Sequence, residues 1–208
     1  MPLSDRDYMQ RRPPPTRVSL SGFGLNPVWV IIAINFIVFI ATLINRNLVV
    51  NLGLVPMAFW ERPWTILTNM FVHAGFGHIF GNMLTLFFFG RFLTMLVGSN
   101  KFLLVYFVGG IVGNILYLLL GEPLSVAVGA SGAVSAIAGV LVVMMPNLRV
   151  HLYLIFPMPL WVVVLVFFVL WSFIPGLGIA WQAHIGGLLV GLIAGYFFKK
   201  KGRYYYFV

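Results

Sequence analysis

The sequence predicts an all-α polytopic membrane protein, a bundle of six transmembrane helices with both termini inside. Three observations carry this. The chain is 61% hydrophobic and 8% charged, with a mean hydropathy of +1.01, whereas a soluble domain devotes about a quarter of its residues to charge. Six apolar runs of spanning length or just under stand at roughly 28–45, 78–97, 102–120, 131–145, 158–174 and 181–198. With both termini inside, eleven Lys and Arg fall on the inner side (Arg6, Arg11, Arg12, Arg17, Arg91, Lys101, Arg149, Lys199, Lys200, Lys201 and Arg203) and only Arg46 and Arg62 on the outer.

Residues 1–25 are polar and proline-rich through Pro13, Pro14 and Pro15, without a signal-peptide pattern, and read as a flexible cytoplasmic tail. Residues 26–200 form one domain, followed by a short cytoplasmic tail at 201–208. The connection 46–77 is long for a helical bundle. Its Trp60, Glu61, Arg62, Pro63 and Trp64 suit an interface, so it is expected to be structured and to lie partly in the outer leaflet. The later breaks fall on Gly98 to Lys101, Gly121 to Pro123, Pro146 to Arg149 and Pro175 to Gly178, all Gly, Pro and polar clusters.

The fourth run is short. Its fifteen residues make about 22 Å of helix, against a core of about 30 Å. The approach from Pro123 to Ala130 must then enter the membrane as irregular backbone. That is tolerated only inside protein or along a water-filled cavity. Ser131 would open the helix there, among free N–H groups and positive dipole character suited to an oxyanion.

The composition excludes several chemistries. There is no cysteine, hence no disulfide, thiolate ligand or cysteine nucleophile. The four acids, Asp5, Asp7, Glu61 and Glu122, all lie outside the apolar runs, which disfavours a Ser-His-Asp triad. A metal site is weak. His73 and His78 are five apart and do not share a helix face, and no carboxylate or thiolate supports them. No metal and no cofactor is expected. The basic balance comes from chain ends and loops, so membrane topology explains it better than nucleic acid.

Polar groups within apolar spans are functional candidates. Here they are His78 and Asn82 in the second run, Ser131 and Ser135 in the fourth, and His184 in the sixth. Taking Leu96, Met145 and Phe198 as inner ends, Asn82, Ser131 and His184 each stand 14 positions away. That is about 21 Å, a common layer in the outer half. A nucleophilic serine needs a base, and His184 is the best placed. His78 and Asn82, four apart, share a face and can both donate to one oxyanion. His73 is assigned to stabilising the loop. Plainer readings stand beside these. Gly129, Ser131 and Gly132 also suit close helix packing, as do Gly187, Gly191 and Gly195. Ser135 reads as a packing or back-bonded hydroxyl, Asn114 as an interhelix hydrogen bonder, and His151 as a solvated loop residue. A transporter fits less well, because the polar groups gather at one level rather than along a path.

These residues resemble a family. His73, His78 and Asn82 match His-x4-His-x3-Asn; Gly129, Ser131 and Gly132 match Gly-x-Ser-Gly; Ala183, His184 and Gly187 match Ala-His-x-x-Gly. In spans two, four and six, in that order and over roughly residues 28–198, the chain looks like a rhomboid intramembrane serine protease of the basic six-helix form. The resemblance implies a serine endopeptidase with Ser131 as nucleophile and His184 as general base. Asn82, His78 and the Ser131 N–H would form the oxyanion hole. It implies cleavage of single-pass transmembrane substrates near the outer end of their helix, at a small residue. It also implies a first loop (46–77) lying in the membrane and a gate formed by 158–180. The location implied is a prokaryotic cytoplasmic membrane, with the site open to the extracytoplasmic side. A catalytically inactive relative that binds membrane clients is the alternative. Three positions depart from the family pattern. Ser135 stands where an aromatic often stacks on the histidine. The first loop reads Arg62, Pro63, Trp64 rather than Trp-Arg. Thr94 stands where a Glu is common.

Overall fold

The computed structural model describes residues 26–146, 148–152, 156–174 and 178–201. The tails read at 1–25 and, beyond Lys201, at 201–208 lie outside the described residues. Helix forms at all six apolar runs. Four helices are long and apolar enough to cross a membrane: α1 (Pro27–Ile44), α4 (Phe76–Val97), α5 (Ser99–Leu120) and α8 (Trp181–Lys201). Two shorter apolar helices complete the set, α6 (Ser131–Met144) and α7 (Leu160–Phe173). The first connection holds the short helices α2 (Asn47–Leu52) and α3 (Thr65–Thr68), so it is structured as its composition suggests.

Local chemistry sets several boundaries. Asn26 caps α1 by accepting the Val28 N–H at 3.0 Å, with Pro27 in the first turn. Gly98, at φ 85, turns the chain from α4 into α5. The described residues depart from helix pairing in two places. Leu54 and Ala127 form an isolated antiparallel bridge. After α6, β1 (Arg149–Leu152) pairs antiparallel with β2 (Phe156–Pro159), Arg149 opposite Pro159. This hairpin amends the all-α expectation. The sequence reads there as an inner loop because Tyr153, Leu154 and Ile155 carry no turn signal.

The core sits around α6, which is buried at every residue from Gly132 to Leu141. α5 and α8 flank it. Only 33–39% of each long helix is buried, yet the exposed remainder is apolar: Trp29, Ile37, Phe80, Leu119, Ile193 and others. Such a surface calls for a hydrocarbon solvent. Lipid offers no hydrophobic force between helices, so close backbone approach must hold them. Glycine supplies it. A Cβ on Gly187 would overlap the Gly132 carbonyl, one on Gly191 the Ala136 carbonyl, and one on Gly195 would stand 3.0 Å from the Val140 oxygen. At the C-terminal end of α8 the Lys199 ammonium donates to the Val143 carbonyl at 3.2 Å.

Candidate active site

Ser131 is the first residue of α6 and is half-buried. Its approach is fastened to the first connection at successive points. Leu54 and Ala127 exchange backbone hydrogen bonds of 2.9 and 2.8 Å. The Gly129 N–H donates to the Asn69 carbonyl at 2.9 Å, and the Ala130 N–H to His73 Nε2 at 3.5 Å. Asn69 is itself locked. Its side-chain amide and that of Asn114 on α5 donate to each other at 3.0 and 2.7 Å, and Asn114 also donates to the Ile66 carbonyl at 2.7 Å. Asn114 is thus the interhelix hydrogen bonder read from the sequence, and its partner is the first connection. That connection is braced further by Arg62 donating to the Val50 carbonyl and Trp64 to the Asn51 carbonyl.

Gly129 stands at φ +124, a backbone conformation that favours glycine. It is also enclosed. A Cβ there would be 2.7 Å from His78 Nε2 and 3.6 Å from Ser131 Oγ. The His78 ring and the Ser131 hydroxyl therefore flank one small space beside the Gly129 Cα. His78 Nδ1 accepts the Ala74 N–H at 3.4 Å, which leaves Nε2 as the protonated nitrogen of the neutral ring. His73 packs edge-on to His78, ring centroids 5.0 Å apart, and is buried. Burial first, then the His78 ring beside it, pushes His73 down to about 3. It is neutral at neutral pH, as its acceptor role toward Ala130 requires. Asn82, one turn beyond His78, is buried and donates one amide N–H to the His78 carbonyl at 2.9 Å. Its second amide N–H is not used in that bond.

The other wall is the start of α8. A Cβ on Gly132 would meet the Ala183 carbonyl at 3.1 Å, so the residues next to Ser131 and His184 touch. His184 is half-buried, and its ring lies within electrostatic range of His78. Its Nδ1 is 2.7 Å from Ser172 Oγ on α7. Sequence reasoning missed Ser172. The available signal was a lone hydroxyl between Trp171 and Phe173, near the C-terminal end of the fifth run.

The sites read from the sequence divide as follows. His73, His78, Gly129, Ser131 and Gly132 gather at the start of α6, with Gly187 packed on Gly132. Among the described residues no hydrogen bond joins Ser131 Oγ to His184. Ser135 is fully buried and donates to the Ser131 carbonyl at 2.8 Å, as a back-bonded hydroxyl does. No cluster of three or more His, Cys, Asp or Glu among the described residues could hold a metal ion.

Comparisons with known proteins point to the same family. The Rhomboid domain family model matches residues 61–201. The chain is 38% identical to "Putative rhomboid protease YdcA" of Bacillus subtilis (strain 168), over 74% of this chain and 75% of that one. It is 30% identical to "Rhomboid protein 1, mitochondrial" of Saccharomyces cerevisiae, over 65% of this chain and 42% of the yeast protein. It is 32% identical to "Rhomboid-related protein 2" of Mus musculus, over 65% and 48%. The chain thus spans three quarters of the bacterial relative and less than half of the yeast and mouse proteins. With its apolar helical bundle and the matched domain, this chain is an integral membrane protein of the rhomboid family.

Proposed function

We propose that the chain is an intramembrane serine endopeptidase that cleaves single-pass transmembrane proteins near the outer leaflet. The observation that carries this is the construction around Ser131. A hydroxyl at a helix N-terminus shares one small space with a histidine N–H, and the neighbouring α8 brings a second histidine whose far nitrogen is already held. A serine alone is a weak nucleophile and needs such a base.

In this reading Ser131 Oγ attacks the scissile carbonyl as its proton passes to His184. The tetrahedral oxyanion accepts from the Ser131 N–H, His78 Nε2–H and the second Asn82 N–H. The proton on His184 then goes to the leaving amine, and water resolves the acyl-enzyme by the same steps in reverse. Catalytic hydrogen bonds often tighten only with substrate bound, and in this reading the Ser131–His184 bond forms in that complex. The same proposal has all six helices crossing the bilayer, with both termini inside. Support comes from the eleven-to-two distribution of Lys and Arg and from the short α6 beneath an irregular approach. The proposal also places the chain in a prokaryotic cytoplasmic membrane, with the site open to the extracytoplasmic side.

The test is incubation of the purified protein with a fluorophosphonate probe and, separately, with a transmembrane substrate. Labelling at Ser131 and cleavage are expected, both lost in Ser131→Ala and nearly lost in His184→Ala. Cleavage at full rate by Ser131→Ala would sink the assignment. A folded wild type that neither labels nor cleaves would instead favour a client-binding relative.

A further inference from the structure

α7 contributes one hydroxyl to the site, and its backbone is irregular where it does so. A π-turn runs from Leu165 to Val169 and a 3₁₀ turn from Leu170 to Phe173. Wide turns of this kind re-aim the residues that follow and recur at functional sites. Here the result is that Ser172 is buried at 4% exposure, while its neighbours Trp171 and Phe173 stand 48% and 53% exposed.

A serine hydroxyl has one proton to give. Ser172 donates it to the Phe168 carbonyl, 3.0 Å away and one turn back. In the 2.7 Å contact with His184, Ser172 Oγ is therefore the acceptor and Nδ1–H the donor. We propose that Ser172 is a positioning residue that holds His184 in its Nδ1–H tautomer, leaving Nε2 as the basic nitrogen. A carboxylate usually does this work, because the partner of one ring nitrogen decides which nitrogen carries the proton. Among the described residues the only acids are Glu61 and Glu122, both exposed. A neutral hydroxyl sets the tautomer and ring orientation without adding a counter-charge for the imidazolium.

The catalytic consequence rests on the protease reading; the tautomer does not. Two measurements separate them. The full-length chain, labelled with ¹⁵N-histidine in the Ser131→Ala background, is examined by NMR at about pH 8, where an ordinary imidazole is neutral. The His184 signals are assigned by their loss in a further His184→Ala variant. A protonated Nδ1 and a bare Nε2 are expected, moving toward protonated Nε2 in Ser172→Ala. In the catalytic background, Ser172→Ala should lower kcat and the fluorophosphonate labelling rate together by about 10- to 100-fold, with KM unchanged. Ser172→Thr, which keeps the hydroxyl, should restore most of both. A bare Nδ1 in the Ser172-containing protein, or a Ser172→Ala variant with wild-type kcat and an unchanged tautomer, overturns this inference and leaves the protease reading standing. Labelling that survives Ser131→Ala removes the protease reading, while the NMR result still decides the tautomer.

Discussion

Replacing Gly129 by alanine probes the turn that leads into Ser131. Two penalties act there. Alanine at φ +124 sits in a region L-residues rarely adopt, at a cost of about 1–3 kcal/mol. The new methyl would also stand 2.7 Å from His78 Nε2 and 2.8 Å from Cε1. Ordinary contact for such atoms is about 3.5 Å, so the ring and the turn must part by about 0.8 Å. A displacement near 1 Å at a reacting centre can cost about 10²-fold in rate. The fluorophosphonate labelling rate of Ser131 should therefore fall by about that factor, with a modest loss of thermal stability. Gly81→Ala is the control. It lies on the same helix as His78 with nothing within 4 Å of the added methyl, and it should behave as wild type. A Gly129→Ala protein that labels at the normal rate would show that His78 is not built against this turn. The oxyanion-hole role given to His78 would fall with it.

Three further outcomes follow from the packing. Gly187→Ala forces a methyl into the Gly132 carbonyl, so α6 and α8 must separate; overpacking of this kind costs about 1–3 kcal/mol, read as a lower melting temperature together with slower labelling. Asn114→Ala removes both amide bonds to Asn69 and the bond to Ile66. With the Asn69 side-chain amide left buried and unpaired, the cost is about 1–3 kcal/mol, and hydrogen exchange across 46–75 should rise more than across α6. His73 is held neutral in the folded protein, well below its ordinary 6.5. The unfolded chain takes up a proton there first, so this contribution to stability is present above about pH 6.5 and is lost as pH falls toward 3. Acid melts of wild type and His73→Phe should differ in slope over that window; parallel melts would refute the linkage.

The local structure around Ser131 was legible because membrane depth is a strict constraint. The start of α6 at Ser131 follows from a run too short to cross the core, and the structure begins the helix at that residue. Ser135 and Asn114 also behave as their surroundings suggest. What stayed hidden depends on partners far apart in sequence. Ser172 looks like one more hydroxyl in an apolar run, and only a π-turn followed by a 3₁₀ turn buries it against His184. The tie from Asn69 to Gly129 joins two stretches that each read as loop. The hairpin at Arg149–Pro159 lacks the Gly or Asn that marks most tight turns.

The glycine contacts between α6 and α8 repeat at a fixed offset. Gly187 meets Gly132, Gly191 meets Ala136, and Gly195 meets Val140, each pair 55 residues apart and each step four residues along both helices. The two helices therefore engage like a rack with one tooth per turn. Backbone atoms rather than side-chain rotamers form the teeth, so the spacing carries almost no adjustable freedom. The smallest slip that restores the contacts is about 6 Å, four residues at 1.5 Å each. Axial sliding of Ser131 past His184 is consequently all-or-none, in register or lost. Gradual changes in rate among variants must then arise from lateral separation of the helices or from the groups around that pair, not from sliding.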